Sequence, residues 1–322
     1  MDKVLGIGNA LVDTILPLES DDLLEELHLP KGSMQLVDQE HMKRIEKRCE
    51  GLDTFISSGG CAANTIHGLA RLGVIAGYIG KVGKDKLGRF FVEDLRNSNI
   101  SPQVLEGKSA TGHALAFISP DSERTFATYL GAALELDAGD LEHSFFKGYQ
   151  YLHVEGYLLQ NHRLLEEVFR MAKENGLKIS LDLASFNVVE ENMDVLKKWI
   201  NEYVDILFAN EEEAKSYTGK EPEEAVHQLA EQCETAIVKM GKDGSIIKRG
   251  DELCRVDPIK VDVMDTTGAG DAYAAGFLYG LVKGLSIEKS GEIAALLAGK
   301  VIEDTGARLR EKQWEAILEK VT

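Results

Sequence analysis

The chain has 322 residues, of which 44% are hydrophobic and 28% charged, so it can build a sizeable core and is not an intrinsically disordered polymer. Lys and Arg number 36 against 54 Asp and Glu, a formal net charge of −18, which argues against a generic nucleic-acid or anionic-membrane surface. The 4 cysteines show no CxxC spacing, so neither a disulfide framework nor a zinc site is indicated, and a cytoplasmic setting is expected.

The apolar start, residues 4–12, contains Gly and Asn, lacks a basic flank and runs into Asp13; it reads as a buried strand, not a signal-peptide core. A strand is predicted over 3–8, then strand-like runs over 11–18 and 34–37 with no long helix between them. Helices follow over 62–72 and 86–98, around a strand at 75–80. Residues 103–105, 113–119 and 124–130 again look like strands joined by turns. These short runs predict a small antiparallel sheet, a lid drawn from about 11–37 and 101–130, attached to one larger body within the span 1–322.

From about residue 150 the rhythm changes. Strands at 148–154, 178–183, 205–209 and 235–240 alternate with helical patterns at 161–175, 188–203 and 222–232. That alternation predicts βαβ crossovers, hence an α/β fold with a parallel or mixed sheet covered by helices on both faces. No membrane span is expected, because Arg71, Lys283 and Lys300 interrupt the apolar stretches well short of about 18 residues.

The most informative segment is Asp265-Thr266-Thr267-Gly268-Ala269-Gly270-Asp271, placed between a strand-like run at 260–263 and a helix of small and apolar residues to about 283. Two glycines let the backbone approach a bulky ligand, and free amides at a helix start attract an anion such as a phosphoryl group. Asp271 falls in the first turn, where a carboxylate could take a proton from an attacking hydroxyl. The same residues also fit a plain Gly-rich turn with Asp271 complementing the helix dipole.

A second group combines Gly8-Asn9 and Asp13 with Gly59-Gly60-Cys61-Ala62-Ala63-Asn64 and with Gly80-Lys81-Val82-Gly83-Lys84-Asp85. Asp and Asn beside glycine turns suit bidentate bonding to a polyhydroxyl ligand; they equally suit helix capping by Asn64 and Asp85. The third is Asn210-Glu211-Glu212-Glu213 at a strand end, where oxygen ligands could hold hydrated Mg²⁺ beside a polyphosphate or simply complement a helix dipole. Conventional phosphate motifs fail. Pro102 stands where a Walker loop before Gly107-Lys108-Ser109 needs glycine, and Leu11 stands where the third glycine of a dinucleotide fingerprint belongs.

Together these segments resemble the ribokinase-like carbohydrate kinase family, of the phosphofructokinase-B type. Residues 265–278 are similar to its C-terminal signature, Gly59-Gly60-x-Ala62-x-Asn64 and Gly80-x-Val82-Gly83-x-Asp85 to its N-terminal signature, and Asn210-x-x-Glu213 to its metal-associated motif. The resemblance implies phosphoryl transfer from Mg-ATP to a primary hydroxyl. It makes Asp271 the general base, with the amides of Gly268, Ala269, Gly270 and Asp271 as an anion hole. Asp13, Gly59, Gly60 and Asn64 would bind substrate hydroxyls. Asn210 and the segment with Lys239, Gly241 and Gly244 would lie at the nucleotide, and Glu213 would act on Mg²⁺ through water. Asp265 and Thr267, with the turn 305–307, match part of the family's monovalent-cation site, which implies K⁺.

Within the family, 8–13, 21–27 and 204–211 look closer to adenosine kinase than to ribokinase, and Met34–Leu36 falls where adenosine kinase places lid residues around the base. A nucleoside kinase acting on adenosine is therefore the leading expectation. A monosaccharide kinase of the ribokinase or fructokinase kind is the alternative, and a non-catalytic sugar- or nucleotide-binding regulator a remoter one. A monomer and a homodimer paired through the lid are both compatible with the sequence.

Overall fold

The computed structural model describes residues 3–121 and 123–321; Met1, Asp2, Ser122 and Thr322, within the expected span 1–322, lie outside the described residues. In chain order the strands are β1 (Lys3–Ile7), β2 (Leu11–Pro17), β3 (Met34–Leu36), β4 (Phe55–Gly59), β5 (Ile75–Val82), β6 (Ile100–Glu106) and β7 (Gly112–Ile118). They continue with β8 (Arg124–Tyr129), β9 (Tyr151–Glu155), β10 (Lys178–Asp182), β11 (Val204–Asn210), β12 (Thr235–Lys239), β13 (Ser245–Arg249) and β14 (Glu252–Val256). A nine-stranded sheet runs β14-β13-β12-β11-β10-β9-β1-β5-β6, and a five-stranded one runs β3-β8-β7-β2-β4.

The large sheet is parallel from β12 through β6 and antiparallel only where β13 and β14 finish it. Its central strands are buried on both faces, as a sheet covered on two sides requires, whereas the edge strands β6 and β14 are mostly half-buried or exposed. On β11, Ile206 and Phe208 pack with Ile237 beneath helices Ala269–Val282 and Ile287–Val301, while Leu207 and Ala209 face the opposite cluster with Val226 and Leu229. Phe208 meets Phe277 edge-on at 5.7 Å between ring centroids; truncating either fully buried ring to Ala would cost about 3–5 kcal/mol.

Four local expectations are corrected. The run 103–105 belongs to β6, at the edge of the large sheet beside β5, not to the small sheet. The reason is the intervening helix Lys86–Asn97, a crossover that returns the chain parallel to β5. The small sheet is mixed rather than antiparallel, since β2 pairs β7 and β3 pairs β8 in parallel; each partner arrives from a long excursion, not a hairpin. The predicted helix 188–203 is broken at Asn192 into Phe186–Glu191 and Met193–Glu202, with the Asn192 amide turned back onto the Val188 carbonyl at 2.8 Å. Residues 260–263 are not a strand, because the chain has already left the sheet edge at β14.

The small sheet has one dry face. Leu16, Leu115 and Phe117 pack against Met42 and Ile45 of helix Gln39–Cys49. Alternation along β2 sends Asp13 and Ile15 to the other face. No helix among the described residues is long and apolar enough to cross a membrane.

Candidate active site

The carboxyl ends of the parallel strands gather most of the chemically interesting side chains, where open α/β sheets commonly bind ligands. Glu155 ends β9, Asp182 ends β10, Asn210 ends β11 and Lys239 ends β12. Glu155 and Asp182 escaped the sequence reading. The Glu155 carboxylate accepts from the Asn9 amide at 3.0 Å, the Asn9 side chain at 2.7 Å and the Ala62 amide at 3.1 Å. It thereby pins the β1 exit to the start of helix Cys61–Arg71, and burial raises its pKa. Asp182 pairs with Lys239 at 2.8 Å. Burial alone would lift the Asp182 pKa, but Lys239 reverses it and holds the group below the ordinary carboxylate range.

The turn before helix Ala269–Val282 is closed by Gly268 in the left-handed region, φ 75°. A Cβ there would also fall 2.6 Å from Ala307 Cα, so glycine is required on both counts. The Ala269 amide donates to the Thr266 carbonyl at 3.2 Å, which withdraws it from the expected anion set. The amides of Gly268, Gly270 and Asp271 make no hydrogen bond to protein among the described residues. Lys239 Nζ stands 3.3 Å from where a Gly270 Cβ would be, placing a positive charge beside those amides.

Asp271 sits in the first helical turn and accepts from Asn64 Nδ2 at 3.0 Å. Burial lifts its pKa from 3.8 to about 7 against the pull of that bond. Asn64 is inside its helix, not at the cap, and its Oδ1 is buried without a hydrogen-bond partner among the described residues. Asp85, by contrast, caps a helix, accepting from the Gly88 amide at 2.8 Å and the Thr111 hydroxyl at 2.7 Å. Gly60 is the N-cap before Cys61, with φ 95°. Asp13 lies across from β4, close enough that a Cβ on Gly59 would strike its carboxylate. Burial pushes Asp13 up to about 6, opposed by Arg308 and His113.

Asn210 and Glu213 form a reciprocal cap. Asn210 donates to Glu213 through its amide at 2.8 Å and its side chain at 2.7 Å, and accepts from the Glu213 amide at 2.8 Å. Each oxygen of the 2% exposed Glu213 thus already serves Asn210, and burial beside Asp182 pushes its pKa up to about 7. No cluster of three His, Cys, Asp or Glu side chains among the described residues could hold a metal ion directly. Gly241 and Gly244 lie in the turn from β12 to β13, where the Met240 amide donates to the Gly244 carbonyl at 2.8 Å.

The expected monovalent-cation residues hold a different partner. Asp265 Oδ2 is 2.6 Å from Arg124 Nη1, on β8 of the small sheet, and the same nitrogen donates to Thr267 Oγ1 at 3.1 Å. The K⁺ expectation does not fit these side chains, because a guanidinium already occupies both.

Residues 36–314 match the family described as pfkB family carbohydrate kinase. The chain belongs to that family. As a pfkB kinase it is an ATP-dependent phosphotransferase with a hydroxyl acceptor. The kinase superposes on the adenosine kinase of Sinorhizobium meliloti with a TM-score of 0.86 and 35% identity over 99% of each chain. A probable sugar kinase from Rhizobium etli CFN 42 gives a TM-score of 0.87 and 34% identity over 99% of this chain and 98% of that one. A 5-dehydro-2-deoxygluconokinase of Geobacillus thermodenitrificans is 31% identical over 312 residues, 89% of this chain and 90% of its own.

Proposed function

We propose that this kinase transfers the γ-phosphoryl group of ATP to the primary hydroxyl of a nucleoside, with adenosine the leading substrate. The observation that carries the acceptor is the 35% identity with the S. meliloti adenosine kinase along 99% of both chains. The exposed apolar side chains Met34 and Leu36 on β3, and Tyr157 just past β9, support it, since a base needs apolar and aromatic surface where a free sugar needs polar partners.

In this reading the acceptor hydroxyl gives its proton to Asp271. A carboxylate with a pKa of about 7 is a far stronger base than an ordinary one, yet is half ionised at neutral pH. The amides of Gly268, Gly270 and Asp271 would face the transferred phosphoryl group, with Lys239 adding charge beside them. Asp13, Gly59, Gly60 and Asn64 would hold the acceptor: Asp13 as a carboxylate that makes no hydrogen bond to protein among the described residues, Asn64 through its Oδ1, which has no partner among them either. Asn210, Gly241 and Gly244 would border the nucleotide. Mg²⁺, which neutralises polyphosphate charge when bound, would meet Glu213 only through water. The small sheet would act as a lid that excludes water.

A monosaccharide acceptor is the second reading, favoured by the likeness to the Geobacillus 5-dehydro-2-deoxygluconokinase. ADP release from Mg-ATP across a panel of nucleosides and monosaccharides separates the two. Adenosine should give the highest kcat/KM; a sugar that outruns every nucleoside would replace the first reading by the second.

A further inference from the structure

The carboxylate of Asp265 opens the turn that carries Gly268 and Asp271, and it is 6% exposed. Oδ1 accepts from the Thr267 amide at 2.9 Å, and Oδ2 accepts from the Gly306 amide at 2.7 Å. Arg124 reaches this carboxylate from the first position of β8, its side chain 12% exposed against 3% for Asp265. One nitrogen, Nη1, bridges Asp265 Oδ2 and Thr267 Oγ1. The bridge joins the small sheet to the phosphoryl turn across 143 residues of sequence.

We propose that the Arg124 guanidinium is the resident cation of this turn, so that the kinase works without a bound monovalent cation and the phosphoryl turn is set by the docked position of the small sheet. A buried carboxylate needs a compensating positive charge, and the guanidinium, the most basic of side chains, supplies one; burial lowers its pKa, and the contact with Asp265 opposes that. Its planar donors also satisfy the threonine hydroxyl, so both side chains that would ligate an ion are used at once. A second cation would have to share Asp265 with a like charge at contact distance. Arg124 is thus a positioning residue: its contacts on this turn are Asp265 and Thr267, and it acts through them. The inference rests on the reading of this turn as the phosphoryl site.

The test compares K⁺, Na⁺ and tetramethylammonium as sole monovalent cation at constant ionic strength. Initial rates of the wild type should agree within about twofold across the three, and a K⁺ activation above about tenfold would overturn the proposal. Thermal unfolding in the same salts, with no substrate, reads the turn even if the acceptor has been misassigned. Wild-type Tm should be the same in all three, because an ion that binds only the folded state would raise it. Arg124→Met should melt lower in tetramethylammonium and recover part of the loss in K⁺ or Na⁺, as its bare carboxylate then takes an ion. A K⁺-specific stabilisation of wild type, or an Arg124→Met protein indifferent to the cation, defeats the idea. Should that variant not fold, the wild-type rate and melting comparisons decide alone.

Discussion

Asn64 Nδ2 donates to Asp271 Oδ2 at 3.0 Å, joining helices that start 208 residues apart, Cys61–Arg71 and Ala269–Val282. The bond favours the charged carboxylate, so it works against the burial that raises Asp271. Asn64→Ala should therefore move the acid limb of the kcat/KM profile to higher pH. It should also lower kcat/KM by about ten- to hundredfold, the worth of one hydrogen bond in a dry site. A limb that stays in place would make Asn64 a packing residue only.

Asp271→Asn separates base from helix partner. Asn keeps a polar side chain in the first turn but cannot take a proton, so kcat should fall by about 10²- to 10⁴-fold with ATP still bound. The folded-state pKa, about 7, lies above the ordinary 3.8. Folding therefore takes up a proton in that window, and the stabilisation is full below pH 3.8 and is lost as the pH rises toward 7. Asn mimics the protonated form and escapes the loss. The variant should melt above wild type at pH 8, with the gap shrinking toward pH 4. Parallel Tm curves at every pH would deny the raised pKa.

The turn at Gly268–Asp271 was legible because its signal is local: two glycines and an acid between a polar run and a small-residue helix. Asn210 and Glu213 were legible for the same reason, yet as a capping box they turn out to serve each other first. Glu155 and Asp182 carry no local signal. Each is one acid at a strand end, and its meaning lies in Asn9 or Lys239, far away in sequence. In the sequence Arg124 is only the start of a strand-like run. Its role needs the small sheet docked onto the turn at Asp265, a relation that no period of 2 or 3.6 residues encodes.

Glu213→Gln tests the acidic corner. An amide must turn an N–H toward one of the two Asn210 donors, so the cap loses about 1 kcal/mol, seen as a lower Tm. If Glu213 also meets Mg²⁺ through water, the Mg²⁺ concentration for half-maximal rate should rise. A lower Tm with an unmoved Mg²⁺ titration would leave Glu213 as a cap alone.

Lys239 and Asp182 pose the sharpest choice between structure and chemistry. Their 2.8 Å pair is largely enclosed, with side chains 16% and 18% exposed. Burial works to discharge Lys239, but Asp182 and Glu213 outweigh it and hold the ammonium above its ordinary pKa. Lys239→Met strips Asp182 of its counterion near Glu213 and Asp271, and removing one partner of a buried pair costs about 3–5 kcal/mol. It should also raise the Asp271 pKa, since Lys239 lowers it. Combining Lys239→Met with Asp182→Asn removes both charges, so most of the lost stability should return, because no bare ion is left inside. The rate then discriminates. If Lys239 serves only to neutralise Asp182, the double variant should recover kcat/KM for ATP along with its Tm. If its ammonium also faces the transferred phosphoryl group beside Gly270, stability returns while kcat/KM stays depressed by about tenfold or more. Recovery of both would remove Lys239 from the phosphate role and leave the helix-start amides to hold the anion.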